Sequence, residues 1–205
     1  MTPKKKEDFI VATANLKGGG GKTTLAVHLA YVLGATLLDL DPQGDAADWC
    51  ERSGLVVGHH VPHGTDNLQA RLDATEGPIV LDTQPGESMG LRSALLLADV
   101  LVIPVKPGSS DLRALGRMQV LIKEAKAANR RLKVAVVLNE SKTVSTLSHD
   151  VEEVLEALKG VTYLGHLGDR VAIPEAFAHG EVVKGSAAAD EIMNIATNLS
   201  NLLKG

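Results

Sequence analysis

Residues 15–24 read NLKGGGGKTT, with four consecutive glycines leading into Lys22, Thr23 and Thr24, and a second lysine, Lys17, in front. Gly18, Gly19, Gly20 and Gly21 carry no side chains, so their backbone N–H groups can curl around phosphate oxygens. In such a loop Lys22 reaches the β- and γ-phosphates of a nucleotide, the Thr23 hydroxyl ligates Mg2+, and Thr24 lies near the α-phosphate. The pattern G-x-x-x-x-G-K-[ST] is incomplete, because Leu16 occupies its first glycine position. A glycine-rich connector would share the composition but has no need of GKT at a strand-to-helix junction. Two apolar runs end in acids: Asp39 and Asp41 close LLDLDPQGD, and Asp82 closes PIVLDTQPGE. Asp82 is expected to hold Mg2+ through water, Asp39 is a further candidate metal ligand, and Asp41 is the candidate for orienting an attacking water. Any one of these acids could be a loop cap; three at strand ends in one phosphate-loop chain favour a shared site.

Those side chains need particular elements to carry them. FIVATA (9–14), ATLLDL (35–40), PIVL (78–81), VLVIPV (100–105) and KVAVVL (133–138) are apolar enough for strands buried on both faces. Helical spacing runs over 23–33, 88–98, 110–129, 146–158 and 187–203. Strands separated by helices predict βαβ crossovers: a single α/β domain of P-loop NTPase fold, with a mostly parallel, twisted sheet and helices on both faces. Ligands of such sheets bind beyond the carboxyl ends of the strands, where the glycine loop and the acids fall. Residues 53–65 are the least regular. Residues 1–8 read as a flexible tail, too short for an N-terminal helix-turn-helix domain.

KGGGGKTT (17–24), LLDLDPQGDA (37–46), IVLDTQPG (79–86), VLVIPVKPGSSDLRALGRM (100–118) and GDRVAIPEAFAHGEVV (168–183) together resemble the deviant-Walker-A ATPases of the ParA/MinD group. The likeness is strongest to the small plasmid ParA proteins such as ParF. It implies that Lys17 reaches across a dimer interface to the nucleotide of the other subunit, where an extra cation offsets densely packed phosphate charge. It also implies that Asn139 meets the adenine edge, although this residue could equally cap the next helix. The segment around Pro174 and Glu175 would flank the base from the other side. The implied cycle is that ATP and Mg2+ bind, two copies dimerise, and the dimer binds DNA without sequence preference. A small centromere-binding partner of the ParB/ParG kind then stimulates slow hydrolysis, and the ADP form lets go. The cargo would be a plasmid or, alternatively, a protein assembly or microcompartment. Gln84 departs from the proline usual there and falls in the switch region that the resemblance implies after Asp82.

Composition agrees with this outline. The chain has 205 residues, 44% apolar but only 2% aromatic, so its core must come from Ala, Val, Leu and Ile. A net charge of −4 excludes coating nucleic acid through bulk positive charge and leaves a local basic patch open. Arg170, Lys142, Lys184 and Lys204 are candidate DNA contacts by position; each could equally be an ordinary surface cation. One cysteine, Cys50, excludes an internal disulfide. No apolar run approaches the roughly 20 residues of a membrane span, and the final helix lacks the basic face of a surface anchor. The expectation is a cytoplasmic, nucleoid-associated protein with no membrane partner. HHVPH (59–63) lacks metal-ligand spacing and reads as surface histidines. Trp49 and Cys50 are expected to pack.

Overall fold

The computed structural model describes residues 8–61, 65–107, 109–141 and 144–205. The expected tail (bar Asp8), His63 and Lys142 lie outside them. The described residues form β1 (Ile10–Thr13), α1 (Lys22–Leu33), β2 (Thr36–Asp39), α2 (Asp45–Ser53), β3 (Gly58–His60), α3 (Thr65–Ala74), β4 (Ile79–Asp82) and α4 (Met89–Leu97). The second half adds β5 (Val100–Val105), α5 (Ser109–Ala128), β6 (Lys133–Ser141), α6 (Val144–Ala157), β7 (Thr162–Gly168), α7 (Ala172–His179) and α8 (Ala187–Lys204). All pairings are parallel, in the order β3-β2-β4-β1-β5-β6-β7.

Alternation along each strand sends successive side chains to opposite faces. Ile10 and Ala12 join Leu81, Ile103 and Val136 in a core covered by α4, α5 and α6. Val11 joins Val80, Val102 and Val137 in a second core covered by α1, α2, α7 and α8. Two faces of aliphatic burial explain why the strands read as unbroken apolar runs.

β3, α3, β7 and α7 escaped sequence reading. β3 lies inside the stretch taken as irregular, and its three residues, GHH, carry no alternation. β7 is interrupted by Gly165 at φ +141° and pairs with β6 through register shifts. α7 is eight residues with Pro174 in its first turn, where proline removes no helical hydrogen bond.

Topology positions the site. β1 lies between β4 and β5, so the chain leaving β1 must pass over β4 to reach β2, opening a crevice at the strand ends. Register sets Thr13 beside Asp82 and Asp82 beside Asp39, each the last residue of its strand.

Candidate nucleotide site

The glycine loop is built on left-handed turns. Gly19 and Gly21 have φ of +72° and +89°, and Gly21 is the N-cap of α1. A Cβ on Gly21 would come 2.2 Å from Asn139 Nδ2, so only glycine fits there. Asn15 anchors the start: its Nδ2 donates to the Pro104 carbonyl at 2.7 Å and its Oδ1 accepts from Lys17 N at 3.1 Å.

Beyond the loop lies a cleft of about 400 Å3, lined by Gly19, Gly21, Lys22, Thr23, Thr24, Asn139, Glu140, Gly168, Asp169, Arg170, Ile173, Pro174 and Phe177. One wall is phosphate-loop backbone and the start of α1; the other is the β7–α7 connection. A larger open depression of about 780 Å3 lies at the β3 edge. None of Gly18 to Thr24 lines it, so the smaller cleft is the candidate site.

Lys22 opens α1 and is 6% exposed. Burial lowers its pKa, opposed by the charges of Asp82 and Asp41, which places Asp41 within electrostatic reach of the ammonium. Asp82 is 1% exposed and lies beneath Thr23. Its Oδ2 accepts from Thr23 Oγ1 at 2.7 Å and its Oδ1 from Thr13 Oγ1 at 3.0 Å. Burial pushes its carboxyl up to about 7, with Asp39 nearby adding to the rise and the Thr23 and Thr13 hydroxyls opposing it.

The remaining candidates fall out as follows. Lys17 is exposed and does not line the cleft. Asp41 is half-buried, with Oδ1 accepting from Gln43 N at 3.0 Å. Asp39 is fully buried and accepts from the backbone N–H of Ala46 and Ala47, both at 3.0 Å, and of Asp41 at 2.9 Å. Its carboxylate therefore caps α2 and folds the Asp41 turn, favourable at a helix N-terminus. Asn139 lies within β6; its Nδ2 donates to the Gly20 carbonyl at 3.0 Å, bracing the glycine loop while it lines the cleft. Pro174 lines the opposite wall.

Arg170 forms part of the cleft wall and is ion-paired with Glu191 at 2.6 Å, with its side chain 45% exposed. Lys184 lies over the Tyr31 ring at 5.7 Å, and Lys204 ends α8. Of the histidine cluster, His60 Nε2 donates to the Asp41 carbonyl at 2.9 Å. This contact restrains the Asp41 turn, and no pattern in the sequence announces it.

A chain of ring contacts joins the cleft to α2. Trp49 meets Phe177 edge-on at 5.0 Å and His28 at 5.3 Å, and its Nε1 donates to the Glu181 carbonyl at 2.8 Å. His28 is satisfied as the neutral ring: Nδ1 donates to the Thr24 carbonyl at 2.7 Å and Nε2 accepts from Val183 N at 3.1 Å. Burial lowers its pKa accordingly.

The site fits a magnesium nucleotide. Thr23 and Asp82 supply the hard oxygen donors Mg2+ prefers, next to a lysine and a glycine loop whose Gly21 leaves no room for a Cβ beside Asn139. Asp82 must be ionised to serve. The folded carboxyl keeps its proton up to about pH 7, whereas in the unfolded chain it loses it near 3.8. Protonation therefore stabilises the nucleotide-free protein fully below pH 3.8, and this contribution is lost as pH rises through about 7. Mg2+-dependent nucleotide affinity should accordingly weaken below pH 7, approaching about tenfold per pH unit for one displaced proton. Calorimetric titrations at pH 6 and 8 on the native chain and Asp82→Asn check this. The nucleotide's own titration is common to both, and only the native chain should show the extra dependence.

Comparison with known proteins agrees with this geometry. Over 203 residues the chain is 30% identical to the maintenance of carboxysome distribution protein A of Halothiobacillus neapolitanus, covering 91% of this chain and 94% of the relative. It is 29% identical over 203 residues to the chromosome-partitioning ATPase Soj of Thermus thermophilus, covering 78% of each. Among solved structures, the ATP complex of a Cyanothece McdA variant superposes with a TM-score of 0.77 at 15% identity, over 97% of both chains. The MinD cell division protein of Aquifex aeolicus gives 0.74 at 18% identity, over 94% of this chain and 97% of that one. At such identities the structures attest the fold alone. The family described as the CobQ/CobB/MinD/ParA nucleotide binding domain matches residues 11–183, and this chain, a ParA/MinD-type ATPase by sequence and fold, belongs to it.

Proposed function

We propose that this chain is a cargo-positioning ATPase that dimerises around two ATP molecules, binds DNA without sequence preference, and releases it after hydrolysis stimulated by a partner protein. The observation that carries the reading is the division of labour between two lysines. Lys22 is buried in the cleft with Thr23 and Asp82, while Lys17, from the same loop, faces outward.

Within one subunit, the N–H groups of the glycine loop and the start of α1 face the phosphates, and Lys22 adds a full positive charge. Mg2+, held through Thr23 and Asp82, would neutralise charge on the β- and γ-phosphates. Asp41 orients the water whose oxygen bonds to the γ-phosphorus as the bond to the bridging oxygen breaks, giving ADP and phosphate. The Asp39 and His60 contacts hold the Asp41 turn from both sides. Lys17 of each copy completes the phosphate site of the other, so dimerisation depends on the γ-phosphate.

A large protein assembly is the favoured cargo, supported by the carboxysome-distribution relative that spans nearly the whole chain. Plasmid or chromosome partition is the second reading, supported by the Soj, ParA and IncC relatives. The test is retention on non-specific DNA with ATP, ADP or no nucleotide, for the native chain and Asp41→Ala. ATP-dependent retention, reversed by salt and prolonged by Asp41→Ala, is the expected result. ATP turnover with no retention in any nucleotide state would remove DNA from the cycle. Unchanged turnover in Asp41→Ala would show that another group orients the water.

A further inference from the structure

We propose that Glu191, on the C-terminal helix α8, is the positioning residue for the base-side wall of the nucleotide cleft. The proposal rests on reading that cleft as the nucleotide site. The wall runs from Gly168 at the end of β7 through Arg170, in the short connection, to Pro174 in the first turn of α7. A connection this short has little packing of its own, so its shape depends on what it is tied to.

Both oxygens of Glu191 are used to tie it. Oε2 accepts from Gly168 N at 2.9 Å, and Oε1 accepts from Arg170 Nη2 at 2.6 Å. The Glu191 side chain is 13% exposed while that of Arg170 is 45% exposed, so the anchor is the buried partner and the guanidinium reaches to it. Arg170 folds back so closely that a Cβ on Gly168 would come 2.8 Å from its Nε. From the other side, Asp169 N donates to the Ser141 carbonyl at 3.4 Å. The connection is thus held between the end of β6 and α8.

The anchor itself is firm. Ile192, Ile195 and Leu199 of α8 are buried in the core, Asn198 Nδ2 donates to the Leu164 carbonyl at 2.9 Å, and Ser186 caps the helix by accepting from Ala189 N. A charge-assisted clamp on a packed helix fixes a wall that would otherwise lose entropy on closing over a ligand. The glycine loop takes no part in it: its braces are Asn15 and Asn139. Removing Glu191 should therefore weaken contacts to the nucleoside and spare those to the phosphates.

Inorganic tripolyphosphate provides the control, since it can use the glycine loop and Lys22 but has no base to meet the wall. Calorimetric affinities for ATP and for tripolyphosphate are measured with Mg2+ on the native chain, Glu191→Ala, Glu191→Gln and Arg170→Ala, alongside thermal melts. Glu191→Ala should lose about tenfold in ATP affinity, the scale of one charge-assisted hydrogen bond, and stay within about twofold for tripolyphosphate. Glu191→Gln keeps an oxygen for Gly168 N but loses the charge facing Arg170, so it and Arg170→Ala should fall in between. If Glu191→Ala does not fold, the two milder variants decide. Equal losses for both ligands, or no loss for either, overturn the proposal. A native chain that binds neither ligand would instead fail the nucleotide reading, and the clamp with it.

Discussion

Replacing Lys22 with alanine should abolish nucleotide binding while the protein stays folded. The side chain is 6% exposed at the first residue of α1, and no packing role explains burying an ammonium there. Burial lowers its pKa, the mark of a charge held at a desolvation cost that only a bound anion offsets fully. The nucleotide-free variant should therefore melt no lower than the native chain. Its ATP affinity should fall by about a hundredfold or more, because two charge-assisted contacts go together. Calorimetry with ATP and a thermal melt separate the two effects. Retained affinity would mean that the loop binds through its backbone alone, and a large fall in melting temperature would give Lys22 a structural role.

The second large effect belongs to Lys17, and it should appear in a different measurement. Lys17→Ala is expected to leave ATP affinity of the monomer within about twofold, since the side chain is exposed and lies off the cleft. The ATP-dependent dimer should disappear. Two nucleotides buried face to face bring dense negative charge together, and losing two cations from that interface leaves it uncompensated. Sedimentation with ATP, Mg2+ and Asp41→Ala in the background, to slow turnover, reads the dimer directly. A dimer that persists would count against the cross-subunit role, and a monomer that no longer binds ATP would place Lys17 on its own nucleotide. The Lys22 and Lys17 variants thus fail at successive steps.

The two lysines also mark how far sequence reasoning reached. NLKGGGGKTT and the acid-ended strands carry their meaning locally: a strand, a left-handed glycine turn and a helix start are set by neighbouring residues. The buried strands were legible because both faces of the sheet are covered by helices, which makes each an unbroken apolar run. β3 and β7 lack that signal. One is three residues at an edge, and the other is broken by glycine and register shifts. α7 is too short for its periodicity to register, although its Pro174, singled out by family likeness, lines the cleft.

Charge was the harder matter. Arg170 pairs with Glu191, 21 residues later in the chain, and Asp39 accepts from the backbone of α2, partners that residue type and spacing do not announce. His60 belongs to a cluster with no visible purpose until β3 pairs with β2 and sets it against the Asp41 carbonyl. By itself the sequence determined the α/β class, the phosphate loop, the acids at the strand ends and the family. Tertiary structure decided which polar side chains remain open to a ligand and which are consumed as internal braces. The reason is physical: a polar side chain's partner, obligatory for a buried group such as Asp39, is set by strand order and helix packing rather than by proximity in sequence.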